Sequence, residues 1–230
     1  RRPRNPYVFD ETFNTQRRSH SLHYANWIDW GKLGKLYLES TVGWNEFDRT
    51  SVIERTDFRE DSTFAIDGSR DTTFYDAILH RTVLSTRTNR AWDFQLGAEY
   101  LSERGDGQRI ADTSAINEVA PRLSSISGWI GGRYEIPGVG LRLEGTLRAG
   151  YNSRYDYPLI PALNLFYNLE DRWQLRLSYS HGFRSPSVRE LFFRFIDQAH
   201  NILGNLDLVP ERSRHLDFSI DGELLRKRAW

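Results

Sequence analysis

The sequence predicts an all-β fold: an antiparallel transmembrane β-barrel segment of about nine or ten strands. Apolar and polar residues alternate with a period of two, and short connections alternate with long ones along the chain. The alternating runs are about ten residues long, which suits a membrane strand better than the roughly 5–6 residues common in soluble sheets. Aromatic residues such as Trp44 and Trp92 tend to lie at the ends of runs, where interfacial girdles belong. Together these observations favour a membrane barrel over a soluble sandwich.

Each strand is predicted from its own alternation. In residues 141–151, leucines alternate with charged residues, whereas a helical period would place Leu141 on the same face as Glu144. The alternation is equally clear in 35–44, 92–100 and 173–180, and it is weaker in the other runs. From the N-terminus, the predicted strands are 21–30, 35–44, 73–86, 92–100, 125–136, 141–151, 159–169, 173–180 and 215–225.

The connections between these strands alternate in length. Short turns are predicted at 31–34, 87–90, 137–140 and 170–172, and mostly long polar connections at 45–72, 102–124, 152–158 and 181–214. Outer-membrane barrels have this arrangement, with short periplasmic turns and longer extracellular loops. A closed bacterial barrel has an even number of strands, and an open edge is not tolerated in lipid. We therefore expect the chain to be one part of a larger barrel.

Composition excludes several classes of protein. The 31 Lys and Arg residues balance the 31 Asp and Glu residues, so no basic surface is expected to bind nucleic acid. The absence of Cys excludes disulfides, thiol catalysis and cysteine-ligated zinc. No apolar run approaches the roughly 18 residues of a membrane helix. The start at Arg1 and the lack of any Met lead us to expect a fragment of a longer protein.

Two motifs near the C-terminal end resemble those of a known family. The first, YSHGFRSPSVRELF, spans residues 179–192, and the second, GNLDLVPERS, spans residues 204–213. The motif positions are Gly182, Phe183, Arg184, Pro186, Glu190, Leu191, Asn205, Asp207, Leu208, Pro210 and Glu211. The pair resembles the Phe-Arg-Ala-Pro and Asn-Pro-Asp-Leu boxes of TonB-dependent outer-membrane receptors. Ser185 stands in place of the alanine and Leu206 in place of the second proline.

The resemblance implies a barrel of about 22 strands in the bacterial outer membrane. Residues 1–230 would be part of the barrel domain, without the plug domain that fills such a barrel. The family imports scarce nutrients, such as an iron complex (a siderophore or haem), by energy-coupled transport. Its implied partners are outer-membrane lipid, a TonB-type energising complex that acts through the plug, and in some systems a surface lipoprotein. Neither covalent chemistry nor a resident cofactor is expected.

The motif residues also have a physical interpretation of their own. Gly182 is expected to let the strand bend, and Pro186 is expected to end strand pairing because it has no N–H to donate. Charge on the lipid face is costly, so Arg184, Arg189 and Glu190 should face the interior or pair with one another. We therefore expect these motifs to build a strand-to-loop corner rather than to contact ligand.

His200, between the two motifs, is the candidate ligand-binding residue. In haem-importing receptors of this family a histidine between the boxes binds the haem iron, and neutral imidazole suits iron. The alternative is that His200 stabilises its own turn. Phe192, Phe193, Phe195 and Ile196 either pack a porphyrin or form the apolar outer face of a strand. The remaining histidines are explained as polar strand positions and predict no metal site.

Two other functions compete with a receptor. A passive porin or an adhesin barrel of about ten strands would share the alternating pattern. An outer-membrane hydrolase would need Ser, His and an acid or amide that converge at one height. Ser180 and His181 are adjacent, so their side chains should lie on opposite faces of a strand, and no Gly-x-Ser-x-Gly elbow is present. We therefore predict that the chain is not an enzyme.

Overall fold

The computed structural model describes residues 6–31, 34–86, 91–110, 120–169, 172–196 and 201–222. Within these ranges the chain is almost entirely strand, with one short helix, α1 (Val188–Phe192). The strands are β1 (Tyr7–Asp29), β2 (Lys35–Asp57), β3 (Ser62–Ala65), β4 (Asp71–Ser85), β5 (Trp92–Gly107), β6 (Arg122–Ile136), β7 (Leu141–Asn152), β8 (Ile160–Leu169), β9 (Trp173–Arg184), β10 (Arg194–Ile196), β11 (Asn201–Leu203) and β12 (Glu211–Gly222).

Nine of the described strands form the path of one antiparallel sheet, in the order β1-β2-β4-β5-β6-β7-β8-β9-β12. Neighbours in the sheet follow one another along the chain, apart from short β3, which pairs with β2, and the small hairpin of β10 and β11. β1 and β12 each pair on one side only among the described residues, so the sheet is an open segment of wall. The predicted fold class and the nine main strands are confirmed.

The register gathers apolar residues into rows on one face of the sheet, called here the apolar face. One row crosses β7, β8, β9 and β12 through Leu143, Leu165, Leu177 and Phe218. Large apolar side chains on this face are 42–71% exposed, namely Leu96, Ile126, Ile130, Leu147, Leu163, Leu216 and Phe218. No second layer of described residues covers them, as one would in a soluble sandwich. An apolar surface of this extent suits lipid.

The opposite face, called here the polar face, carries charged and polar rows. Arg133, Glu144, Asn164, Ser178 and Asp217 lie in register across β6 to β9 and β12. Ion pairs on this face join Arg133 to Asp93, Arg142 to Glu144 and Arg148 to Glu99. The expected division between an outward apolar side and an inward polar side is therefore present in the sheet.

All of the main strands except β8 are longer than the sequence predicts. β1 and β2 have 23 residues each, and β4, β5 and β6 have 15 to 16. The predicted loop 45–72 is mostly strand, because β2 continues to Asp57 and folds back into β3. Charged residues on both faces of this part of β2 conceal the alternation on which the prediction depended. The strand pairs persist there because antiparallel hydrogen bonding does not require an apolar face.

The sheet has two distinct ends. At one end, strands are joined by short turns, such as 137–140, where Gly138 and Gly140 adopt φ of 74° and 71°. At the other, long-loop end, α1 folds onto the polar face. A compact core lies beneath it, formed by Ile110, Leu123, Val188, Leu191 and Phe192. The main buried apolar cluster of the described residues is therefore at the long-loop end, beside the two sequence motifs.

Candidate functional site

The two sequence motifs meet as partners in the sheet. β9 ends at Arg184 and β12 begins at Glu211, and these two residues are opposite each other in the register. The guanidinium of Arg184 donates to Glu211 Oε1 at 2.6 Å and to both carboxylate oxygens of Glu190 at 2.9 and 3.0 Å. Arg184 therefore ties the end of one strand to the start of the next and to α1.

Hydrogen bonding in this trio favours the charged form of every member. The bonds from Arg184, followed by those from the backbone and hydroxyl of Ser187, lower the pKa of Glu190 to about 2. The bond from Arg184 also lowers the pKa of Glu211, and both carboxylates raise the pKa of Arg184. All three members of the trio are therefore charged at ordinary pH, and we call the trio the ionic clasp.

α1 begins with a capping box. The backbone N–H of Glu190 donates to Ser187 Oγ at 3.3 Å, and the N–H of Ser187 donates to Glu190 Oε2 at 2.8 Å. Ser187 comes directly after Pro186, which follows the end of β9. This arrangement satisfies free backbone donors at the start of the helix. Glu190 thus both caps the helix and closes the clasp to Arg184.

The apolar side of α1 is buried against the polar face of the sheet. Leu191 is 1% exposed and Val188 is 2% exposed. Gly105 in β5 makes this contact possible, because a Cβ there would lie 2.9 Å from Val188 Cγ1. Gly204 approaches the backbone of Leu191 so closely that a Cβ would lie 2.5 Å from its carbonyl oxygen. Both glycines therefore allow the helix to pack closely.

The second motif forms a turn that packs on the same core. The side-chain oxygen of Asn205 accepts from the backbone N–H of Asp207 at 2.8 Å, and the N–H of Leu208 donates to the Asn205 carbonyl. Leu206 and Leu208 are partly buried against the cluster under α1. The turn forms with Leu206 at the position where the resemblance led us to expect proline, and Pro210 then precedes β12.

Two motif residues have surroundings that the sequence did not predict. Gly182, which was expected to let the strand bend, lies inside β9, because that strand continues to Arg184. Gly182 lies opposite Ser213, and a Cβ would come within 2.4 Å of the Ser213 hydroxyl, so the glycine makes room for that side chain. Arg189 does not pair with an acid of the clasp; its guanidinium lies 5.0 Å from the centre of the Phe193 ring.

The candidate ligand residues have different outcomes. His200 lies outside the described residues. Phe192 is 6% exposed in the core under α1, so it forms neither a strand face nor an open platform for a porphyrin. Ser180 and His181 occupy successive positions of β9, and His181 Nε2 lies 2.7 Å from the Tyr179 hydroxyl. No group of three or more His, Cys, Asp or Glu that could hold a metal occurs among the described residues.

A cleft of about 390 Å³ lies beside α1 on the polar face, and we call it the arginine cleft. It is lined by Arg17, Phe47, Arg49, Thr73, Tyr75, Arg109, Arg189 and Phe193. The register explains its floor, since Arg17 pairs with Phe47, Phe47 with Tyr75, and Arg49 with Thr73. Its volume is in the range of small-molecule sites, about 300–1,000 Å³.

Sequence reasoning missed this cleft. Its residues come from β1, β2, β4, the segment after β5, and the α1 corner, which are far apart along the chain. β1 and the later part of β2 were not predicted as strands at those positions, so no pairing could be deduced. The only local signal is the recurrence of Arg near Phe or Tyr, as in Phe47 followed by Arg49.

Among the described residues, no helix has the length and apolar character needed to cross a lipid bilayer.

Comparison with known proteins gives the same fold. The crystal structure of the siderophore receptor PirA from Acinetobacter baumannii matches with a TM-score of 0.64 and 16% identity, over 92% of this chain and 33% of that chain. The crystal structure of the siderophore receptor PirA from Pseudomonas aeruginosa matches with a TM-score of 0.50 and 15% identity, over 90% of this chain and 42% of that chain. This chain therefore spans less than half the length of either receptor.

No curated protein matches the chain in sequence. The family model described as TonB dependent receptor-like, beta-barrel, matches residues 1–230, which is the whole chain. That match agrees with the antiparallel sheet, its two unlike faces and the paired motifs that meet at Arg184 and Glu211. The chain belongs to the TonB-dependent receptor-like β-barrel family.

Proposed function

We propose that the chain is part of an outer-membrane receptor that imports an iron complex with energy supplied by a TonB-type complex. The observation that carries this proposal is the family match over all 230 residues. The unlike faces of the sheet support it, because an exposed apolar face suits lipid and a polar face suits a water-filled or plug-filled interior. The clasp and the capping box of α1 join β9, α1 and β12 at the long-loop end.

The barrel wall has a passive part in this mechanism. Long loops outside the cell capture the ligand, and a plug domain elsewhere in the receptor closes the interior until the energising complex pulls on it. The sheet excludes lipid and holds the loops in position. No bond of the ligand is broken, and neither a resident cofactor nor a nucleic-acid partner is required. A surface lipoprotein is a further proposed partner for some ligands.

A ferric siderophore is the ligand we favour. Both solved structures named above are siderophore receptors by their descriptions. Haem is the second candidate and depends on His200. Burial of Phe192 in the core under α1 removes one ring on which a porphyrin was expected to pack. The geometry of the described residues therefore gives more support to the siderophore than to haem.

Uptake of labelled iron tests the function. The full-length receptor that contains this chain is produced in a Gram-negative host that lacks its own iron receptors, with and without an active energising complex. We expect iron accumulation only when both the receptor and the complex are present. Equal accumulation after loss of the complex would support a passive pore and contradict the proposal. A receptor-free strain supplies the background.

Haem titration tests the role of His200. If haem is the cargo, His200→Ala in the full-length receptor should change the absorption spectrum of bound haem and weaken binding. His215→Ala is the control, because His215 lies within β12 and not between the motifs. Unchanged spectra and affinity in His200→Ala would remove the haem proposal but leave siderophore import standing.

A further inference from the structure

We propose that the arginine cleft binds negatively charged oxygen atoms of the imported iron complex. This inference rests on the proposed function and adds the charge of the ligand to it. It predicts that the receptor prefers complexes with net negative charge, such as those with catecholate or carboxylate ligands, over neutral complexes such as tris-hydroxamates.

The first argument is the uneven charge of the cleft. Four of its lining residues are arginines, and none is an acid. Arg109 is neutralised, because it pairs with Asp71 and lies 3.6 Å from Glu11. Arg17, Arg49 and Arg189 form no ion pair with an acid among the described residues. Arginine does not lose its proton in proteins, so their positive charge persists at any relevant pH.

The second argument is that aromatic rings orient these arginines. The guanidinium carbon of Arg49 lies 4.3 Å from the centre of the Phe13 ring, and that of Arg17 lies 5.4 Å from the centre of the Phe47 ring. A guanidinium stacked on a ring is attracted by the face of the ring, while its N–H donors along the edge are left for another partner. Stacking therefore prepares the cleft for an acceptor.

The third argument is the presence of polar atoms that lack partners. Arg49 Nε and the Tyr75 hydroxyl are inaccessible to solvent, and neither has a hydrogen-bond partner in the structure. A buried donor without a partner is costly, and such groups are ordinarily satisfied. Both residues line the cleft, so their unpaired donors belong to its wall. An oxyanion in the cleft would accept from them only after their side chains turn toward it, whereas an apolar or cationic ligand would not accept from them at all.

These observations select a chemical class. A guanidinium binds carboxylate and similar paired oxygen atoms through two parallel hydrogen bonds. Three catecholate groups carry more negative charge than one ferric ion neutralises, so a ferric tris-catecholate is an anion. Three hydroxamate groups balance the ferric charge, so a ferric tris-hydroxamate is neutral. The phenyl rings that line the cleft also suit a flat aromatic ligand. An anionic iron complex satisfies both the charge and the shape of the site.

Binding to the full-length receptor in detergent tests the proposal. Two probes are compared, a synthetic ferric tris-catecholate and a synthetic ferric tris-hydroxamate. We expect Arg17→Gln and Arg49→Gln each to weaken binding of the tris-catecholate about tenfold, the loss typical of one hydrogen bond to a charged group. Binding of the anionic probe by the unaltered receptor should also weaken as salt is raised.

Arg176→Gln is the matched control. Arg176 lies on the polar face in β9, 5.6 Å from the centre of a phenylalanine ring, and does not line the cleft. Circular dichroism of each variant confirms that the barrel is folded. Loss of tris-catecholate binding in both cleft variants, but not in Arg176→Gln, supports the proposal.

Three results would overturn the proposal. The first is equal binding of tris-catecholate by all variants, and the second is an equal loss for the neutral tris-hydroxamate. Either one leaves iron import intact, because the unaltered receptor still binds its probe. The third is that the unaltered receptor binds neither probe and imports no iron, which would overturn the proposed function together with this inference.

Discussion

Gly97 and Trp129 show how closely residues on the polar face are fitted. They are partners in the register of β5 and β6, and the indole lies over the glycine. A Cβ at Gly97 would lie 2.0 Å from Trp129 Cζ2, so no other residue can accept the ring in this position. Trp129 is 7% exposed and lies beneath Arg81 and Arg148, at 5.1 and 5.5 Å.

We predict that Gly97→Ala destabilises the folded receptor by about 1–3 kcal/mol, the usual cost of overpacking. The added methyl group would displace the ring and disturb the contacts of Arg148. Urea unfolding in lipid vesicles, followed by tryptophan fluorescence, measures the change. Gly128→Ala is the control, because a Cβ there would be 3.5 Å from its nearest neighbour, an ordinary contact. A similar loss in both variants would contradict the argument.

The lowered pKa of Glu190 predicts that the corner around α1 becomes less stable in acid. The pKa of Glu190 is about 2 in the folded chain and 4.5 in a free glutamate. A carboxyl group whose pKa is lower in the folded chain than in the unfolded chain stabilises the fold at pH values above its unfolded pKa. For Glu190 this stabilisation is lost as the pH falls from about 4.5 to about 2. We therefore expect pepsin to cleave near Phe192 faster as the pH drops through this window.

Glu190→Gln and a free peptide of the same sequence are the controls for pepsin. Position 190 of the variant cannot be protonated, and only Glu211 of the clasp still loses its charge, so the cleavage rate relative to the peptide should rise less across the window than that of the native chain. If the native chain and Glu190→Gln show the same pH profile, the clasp does not hold the corner.

At the scale of the element, α1 depends on its surroundings. The helix has five residues, whereas isolated helices shorter than about 12–15 residues are marginal in water. The capping box and burial of Leu191 and Val188 must therefore hold it. The stability of α1 comes from the sheet beneath it, not from helix propensity.

We predict that Leu191→Ala releases α1 from the sheet. Truncation of a fully buried leucine costs about 2–5 kcal/mol. Hydrogen exchange of the full-length receptor should show lost protection of the amides of Leu191 and Phe193, which donate to carbonyls of this turn, with little change in β7. Leu203→Ala is the control, since Leu203 is 59% exposed. Unchanged exchange at α1 would refute the prediction.

The elements differ in how well the sequence predicts them. The run 141–151 agrees with β7 to within one residue, because its apolar face meets lipid and its other face is polar. The first half of β1 was missed because polar and charged residues occupy both of its faces. α1 is too short for a helical period to be visible, although the spacing of Ser187 and Glu190 is a capping-box signal that the sequence does contain.

The candidate site was predictable only in part. The meeting of Arg184 with Glu190 follows from the cost of charge in lipid, so the sequence could suggest it. The partnership of Arg184 with Glu211 depends on the register between β9 and β12. The arginine cleft depends on the register of three further strands. Registers follow from many weak pair contacts, which a single sequence does not display.

At the scale of the whole molecule, the open edges of the sheet dominate. The outer sides of β1 and β12 have no strand partner among the described residues. Unpaired N–H and C=O groups cannot be left in hydrocarbon and readily pair with another chain. The sheet therefore requires further strands to be stable in a membrane.

We predict that the 230-residue chain, refolded alone in detergent, self-associates or aggregates, whereas the full-length receptor is monodisperse. Light scattering after size-exclusion chromatography gives the mass of each. A folded monomer of 26.9 kDa, with the strand content of the structure, would show that the edges are satisfied within the chain and would contradict the prediction.

The length of the β1–β2 hairpin has a consequence for the cell surface. A strand of 23 residues is about 75 Å long and, tilted at 45°, rises about 50 Å, roughly twice the 25 Å height of the apolar band. With the long-loop end outside the cell, as proposed above, about half of the β1–β2 hairpin extends beyond the bilayer into the layer of lipid-linked sugars. The turn at Phe58, which follows the outer end of β2, then lies well above the membrane surface. An affinity tag inserted there would be within reach of an antibody on intact cells.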